Sequence, residues 1–139
     1  MDELVLRHRA AACPVARLAT VRPDGRPHVV AVTFDLDGHS IVTAVDHKPK
    51  RTARLQRLRN LEANPAASVL VDHYDDDWGA LWWLRGDGAA AVHVDGPRHQ
   101  AAVARLVAKY GPYRDRPPRG PVIEVTVARW VGWSAESAG

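Results

Sequence analysis

The sequence predicts a mainly antiparallel β protein, an antiparallel barrel with helical covers. Short β-branched segments recur between strong turn signals, and only a few helical segments interrupt them. The expected order, αβββαβ(β)βαβ, has runs of strands rather than the strict strand–helix alternation of a parallel sheet. A length of 139 residues suits one domain, expected over 1–139.

Residues 2–12 read as a short helix with a weak apolar face from Leu4, Leu6 and the alanines. Residues 15–22 read as a strand, and Pro23-Asp24-Gly25 as a turn. Pro27 to Asp35 is the return strand, with Val30, Val32 and Phe34 on one face and Val29, Ala31 and Thr33 on the other. Asp37-Gly38 marks a second hairpin. Ser40 to Val45 is the third strand, which completes a three-stranded meander.

Residues 50–62 predict a helix. Leu55, Leu58 and Leu61 form an apolar stripe beside Arg51, Arg54 and Arg57. Pro49 suits the helix start, and Asn64-Pro65 ends it. Residues 67–74 are a strand. Further strand is expected from Trp78 to Arg85 and on to His93, with a bulge or turn at Gly86-Asp87-Gly88. Ala101 to Tyr110 is a helix, residues 111–121 an irregular loop, and Val122 to Trp133 a long closing strand.

Composition narrows the function classes. The chain is 46% hydrophobic and 25% charged, ordinary for a soluble globular protein. A single cysteine, Cys13, allows no internal disulfide and reads as structural. The N-terminus lacks the apolar core of a signal peptide, and no apolar run approaches the roughly 20 residues of a membrane span. The expectation is a cytoplasmic protein without a membrane. A net charge of +3 is too mild to indicate nucleic acid.

Charge is local instead. Residues 47–59 are rich in Lys and Arg and hold no acid, while residues 72–77 hold four Asp and no Lys or Arg. The run His47-Lys48-Pro49-Lys50-Arg51 falls where a strand gives way to a helix. Helix starts present unpaired N–H groups and a partial positive charge, so Lys and Arg there suit an anion such as phosphate. Charge alone also fits a solvated basic helix face. Asp75-Asp76-Asp77 matches no metal-loop spacing and reads as an exposed acidic hairpin, so no metal is expected.

Trp82 and Trp83 alternate across a strand, so one enters the core and the other faces outward, toward an interface or a ligand wall. Trp130 and Trp133 read as end-of-strand packing. No dinucleotide fingerprint, phosphate-binding loop, nucleophile elbow or zinc spacing is present. Without a visible nucleophile, chemistry falls to a cofactor.

Three segments, RLATVRPDGRPHVVAVTF, IVTAVDHKPKR and LEANPAASVLVD, resemble the pyridoxamine-phosphate-oxidase-like (PPOX class) split barrels. The likeness is greatest to the actinobacterial branch of oxidoreductases that depend on a deazaflavin, coenzyme F420. It covers residues 15–93 well and the closing helix and strand in order only.

The resemblance implies a homodimeric FMN-binding split barrel with cofactor sites at the subunit interface. It places Lys50 and Arg51 on the cofactor phosphate, with His47 and Lys48 just before them. Val32, Thr33, Thr43, Ala44 and Val45 fall on the strands that line the ring, and Trp78, Trp82 and Trp83 in the region that reaches over from the partner. The third strand carries no charge, which departs from the vitamin oxidases that use flavin mononucleotide (FMN). The deazaflavin tail carries several anionic groups, and a stripe through Arg54, with Arg114, Arg116 and Arg119, suits it.

The expected function is hydride transfer from reduced coenzyme F420 to a small conjugated acceptor, a quinone or an enone. FMN is the alternative cofactor. A haem-binding split barrel and a non-catalytic carrier of the deazaflavin are the other readings. His47, His73 and Tyr74 are candidate proton donors, and no catalytic residue is assigned among them.

Overall fold

The computed structural model describes residues 2–45 and 55–137. Helix α1 (Glu3–Ala11) starts at Asp2, whose carboxylate accepts the Leu4 amide at 2.9 Å. Strands β1 (Ala16–Val21) and β2 (Pro27–Val32) form the first hairpin, turning through Gly25 at φ +89°. Strands β3 (Asp35–Asp37) and β4 (Ser40–Ala44) form the second hairpin, followed by α2 (Gln56–Ala63) and β5 (Ala66–His73). A short 3-10 turn, Trp78–Ala80, leads into β6 (Trp82–His93). Then come α3 (Gly96–Lys109), α4 (Gly111–Asp115) and β7 (Val122–Ser134).

All strand pairs are antiparallel, and the sheet order is β2-β1-β5-β6-β7-β4-β3. β2 and β3 are consecutive in the chain yet lie at opposite ends of this order, so the sheet curls until its edges meet. The three-stranded meander is therefore corrected. The segment from Pro27 to Asp35 is not one strand, because it breaks at Thr33-Phe34 and crosses to the far edge, where β4 pairs with β7 rather than with β2.

Inward residues fill the barrel, among them Leu18, Val32, Phe34, Ile41, Val69, Leu84 and Val125. Leu6 and Ala10 of α1 join this core, and Gly132 makes room for Leu6: a Cβ there would come within 2.5 Å of it. α2 adds Leu58 and Leu61, and its buried Asn60 amide donates to Thr20 Oγ1 at 2.9 Å. α3 covers β4 through a separate cluster of Val42, Ala44, Ala102, Leu106 and Val122.

The expected irregularity at Gly86-Asp87-Gly88 is a bulge within a continuous β6. Asp87 pairs with Arg129 but Gly88 with Val127. A Cβ at Gly88 would overlap the Thr126 carbonyl, so the close approach of β7 requires glycine there. Three boundaries also move. α3 starts at Gly96 rather than Ala101, because Pro97 suits its first turn. Leu55 is extended (φ −69°, ψ 150°) and α2 starts after it, because the buried side of this helix begins at Leu58 and Asn60. Trp78 belongs to the 3-10 turn, where Asp77 caps the Gly79 amide. Among the described residues no helix is long and apolar enough to cross a membrane.

The crossing at Thr33-Phe34 cannot use sheet hydrogen bonds, so the end of α3 supplies them. The Phe34 amide donates to the Tyr110 hydroxyl at 2.9 Å. That hydroxyl points its proton at the carbonyls of Pro14 (2.8 Å) and Phe34 (2.9 Å). Lys109 Nζ donates to the Phe34 carbonyl at 2.8 Å and lies 3.8 Å from the centre of the Phe34 ring. Tyr110→Phe leaves a buried amide unpaired. It is expected to cost about 1–3 kcal/mol and several degrees in thermal unfolding. An unchanged melting temperature contradicts this account of the crossing.

Candidate functional site

His47, Lys48, Lys50, Arg51 and Arg54 lie outside the described residues. The strand residues expected to line the ring divide between two faces. Val32 and Thr43 point inward, at 9% and 3% exposure. Thr33 turns toward α4, where its hydroxyl meets the Tyr113 hydroxyl at 2.8 Å. Ala44 packs in the cluster against which Tyr113 lies. The Asp35–Val42 pair directs Phe34 and Thr33 along toward Thr43 and Ala44, so the crossing brings the two halves of this set side by side.

Beyond them, the Val45 amide donates to the Pro121 carbonyl at 3.0 Å, and Gly120 is pinned by His99 Nε2 at 2.9 Å. The loop carrying exposed Arg119 therefore abuts the end of β4, where the basic run begins.

Thr43 Oγ1 is buried and has no hydrogen-bond partner. An unpaired buried hydroxyl costs roughly 1–3 kcal/mol, and such groups are rare enough to mark functional places.

A second basic cluster sits at the α2 end of the barrel. His28 pairs across β1 with Thr20, the residue that Asn60 holds. Arg57 is one turn before Asn60 on α2, and Arg22 begins the β1–β2 turn. Burial pushes the His28 imidazole below the usual histidine range, and the charges of Arg22 and Arg57 push it the same way. Its Nδ1 is buried without a partner. α2 has no side-chain cap, so its first N–H groups add to the positive field. An anion is the ligand that these charges suit.

Trp82 enters the core at 7% exposure, and Trp83 faces outward opposite Trp133, which is 40% exposed. Trp133 is thus a surface residue rather than end-of-strand packing, since its side of β7 has no cover. Trp78 is 69% exposed, and its indole donates to the Tyr74 hydroxyl at 3.4 Å. The outward positions of β1, β2, β5 and β6, including Arg17, Val29, Ala31, Leu70, Trp83 and Arg85, are all exposed or half-exposed.

This uncovered face also holds a shallow groove of about 330 Å³ beside Ser68, Asp87 and Gly88. Burial opposes the ionisation of Asp87, but hydrogen bonds from Arg85 and Ser68 outweigh it and hold the carboxyl below its usual range. β6 is 12 residues long, and His93 pairs at one end with Val122 while Trp82 pairs at the other with Ser134. At roughly 3.3 Å per residue its ends stand about 35 Å apart. Val122 also pairs with Ala44 along this route, while in the other direction Leu84 pairs with Val71 and Ala16 with Val32, so the Trp82–Trp83 end of β6 comes to the level of Val32 through β5, β1 and β2.

A polar network that the sequence did not reveal anchors α3. Ser40 Oγ donates to Glu124 at 2.7 Å, and His93 Nε2 meets the other carboxylate oxygen at 3.0 Å. The Ser40 bond above all, then His93, holds the Glu124 carboxyl below its usual range. Arg105 pairs with Asp35 at 2.9 Å and donates to the Ser40 carbonyl at 2.9 Å. The carboxylate stands between hydroxyl and imidazole, so His93 is not placed to activate Ser40 as a nucleophile.

Tyr110 and Tyr113 were missed for a related reason. Their spacing is visible, but their role depends on where the β2–β3 crossing falls.

The chain matches the family model described as Pyridoxamine 5'-phosphate oxidase over residues 5–134. It is 34% identical over 118 residues to a biliverdin reductase from Mycobacterium tuberculosis that depends on reduced coenzyme F420, covering 85% of this chain and 78% of that protein. The fold is similar to that of the conserved hypothetical protein Rv2991 from Mycobacterium tuberculosis, with a TM-score of 0.81, 20% identity, and coverage of 100% of this chain and 88% of that one. It is also similar to HutZ, the haem storage protein from Vibrio cholerae, with a TM-score of 0.70, 19% identity, and coverage of 94% and 90%.

The basic cluster has a measurable signature. By NMR titration His28 should ionise below the ordinary histidine value of about 6.5, and Arg57→Gln should raise its pKa. Because the unfolded chain takes this proton first, the cluster should lower folding stability as pH falls through about 6.5. An ordinary His28 pKa that ignores Arg57 contradicts the cluster.

Proposed function

Because the chain belongs to the pyridoxamine 5'-phosphate oxidase family, we propose that it is an oxidoreductase that uses reduced coenzyme F420. Its acceptor is a small conjugated molecule, a quinone or an enone. The observation that carries this reading is the 34% identity to a reductase dependent on that deazaflavin, extending over 85% of the chain. Supporting it are basic groups suited to a long anionic tail and the absence of a nucleophile in the sequence.

The bound deazaflavin supplies the hydride and its two electrons. The chain's own residues bind and orient. Lys50 and Arg51 hold the phosphate, with His47, Lys48 and Arg54 beside them. Arg57, Arg22 and His28 continue the positive track toward the tail. A carboxylate seated between Arg22 and Arg57 would raise the His28 pKa from its depressed position, so tail binding is coupled to proton uptake.

Thr33 and Ala44, on the side of α4, form the wall for the ring, and Val32, Thr43 and Val45 back it from the barrel interior. Trp82 is held in the core, whereas Trp78 and Trp83 remain available to a second copy.

The second copy covers the outward face of β1, β2, β5 and β6. Two features support it. The face carries Val29 at 61% exposure and the Trp83–Trp133 pair. The Arg17–Asp72 pair at 3.1 Å adds charges that can meet their counterparts across a two-fold axis.

Two measurements test this function. Titration of Trp fluorescence with coenzyme F420, FMN and haem should show micromolar binding of the deazaflavin, and no binding of any deazaflavin or flavin overturns the reading. Lys50→Ala with Arg51→Ala should weaken that binding by roughly ten- to a hundredfold per lost phosphate contact, or about 1.5–3 kcal/mol each. Sedimentation should give a dimer that Trp83→Glu converts to monomer. A monomeric wild-type protein contradicts the interface.

A further inference from the structure

We propose that Tyr113 is the proton donor of this site and that Thr33 is the residue that orients its hydroxyl. The inference rests on the hydride-transfer reading above and adds the group that completes the reduction.

The two phenols at the end of α3 have different freedom. Tyr110 gives its proton to the carbonyls of Pro14 and Phe34 and receives the Phe34 amide. Burial raises its pKa further, so its proton is committed to the fold. Tyr113 packs edge-on against Tyr110, with ring centres 5.6 Å apart. Its hydroxyl meets Thr33 Oγ1 at 2.8 Å, and either oxygen can donate. When Thr33 donates, the phenol proton is free to leave toward the wall formed by Thr33 and Ala44.

The ring is also held in place. The Tyr113 amide donates to the Tyr110 carbonyl at 3.2 Å, and the Arg116 amide to the Pro112 carbonyl at 3.1 Å. Arg114 ties back to the Ala108 carbonyl at 2.9 Å. A donor fixed in this way needs little rearrangement at the moment of reaction.

Other candidates are poorly placed. His73 stacks on Trp82, with ring centres 6.2 Å apart, and Tyr74 accepts from the Trp78 indole, so both are engaged with the tryptophans around the start of β6. Lys109 is engaged with the Phe34 carbonyl and ring.

The step balances. The acceptor gains a hydride at one carbon, with both electrons supplied by the reduced cofactor, which ends oxidised. Negative charge then builds at the far heteroatom of the conjugated system. That atom takes the Tyr113 proton: the phenol O–H bond breaks and a new O–H or N–H bond forms. Thr33 donates to the resulting phenolate, and solvent restores the proton, because Tyr113 is only half-buried.

The test uses full-length protein, reduced coenzyme F420 and a panel of naphthoquinones and enones. Tyr113→Phe should lower kcat by about a hundredfold or more. It should abolish the solvent deuterium isotope effect on kcat while leaving deazaflavin affinity within about twofold. Thr33→Val should lower kcat less, and Thr33→Ser should restore it. Wild-type kcat and isotope effect in Tyr113→Phe overturn the assignment. So does equal loss in Thr33→Ser and Thr33→Val, which would indicate packing alone. Wild-type protein that binds no deazaflavin, or binds it without turnover on any acceptor, overturns the oxidoreductase reading itself and this inference with it.

Discussion

The crossing at Thr33-Phe34 is the constraint on which the rest depends. An antiparallel sheet closes into a barrel only where its edges meet, and here two residues make the passage from β2 to β3. Two residues cannot pair with either edge, so their polar groups need other partners. Tyr110 and Lys109 provide them from the end of α3. The same docking fixes α4 against the outside of the crossing, and that places Tyr113 on Thr33. Closure of the fold and construction of the candidate site are therefore one event.

Electrostatics then divides the surface. Arg22, His28 and Arg57 gather at the α2 end, where burial above all, and then the charges of Arg22 and Arg57, depress the ionisation of His28. Asp75 and Asp77 spend their carboxylates on backbone turns of the β5–β6 loop at the far end of β6. Such a field favours an anionic ligand at the first region over the second. Between them the outward face of β1, β2, β5 and β6 carries apolar side chains that none of the described helices covers. In the proposed dimer a second copy covers that face, with Trp83 and Trp133 on it.

Most strands and helices were legible in the sequence because the patterns were local; α4 was not, since residues 111–121 read as an irregular loop while Gly111–Asp115 form a short helix with Pro112 in its first turn. The turn at Gly25, the bulge near Gly88 and the alternation of Trp82 with Trp83 all follow from neighbours in the chain. The break at Thr33-Phe34 was not legible, since Val30, Val32 and Phe34 keep one periodicity across it and only the sheet order reveals the crossing. The start of α2 was misplaced because the Arg and Leu spacing extends upstream of Leu55, whereas burial does not begin until Leu58.

Among site residues, the ring-wall segments were read from resemblance. The partners Tyr113, His28 and Arg22 were not, because each acquires its role from a residue distant in the chain. The basic run was legible as charge, but charge alone does not name the anion.

The most direct test of the account is a crystal structure of the protein with oxidised coenzyme F420. The account predicts a dimer joined through the outward sheet face. The tricyclic ring lies against Val32, Thr33 and Thr43 to Val45, the tail runs toward Arg57 and Arg22, and the partner's Trp83 lies near the ring. A ring bound away from those strands, or a monomer with the Trp83–Trp133 face exposed to solvent, would contradict it.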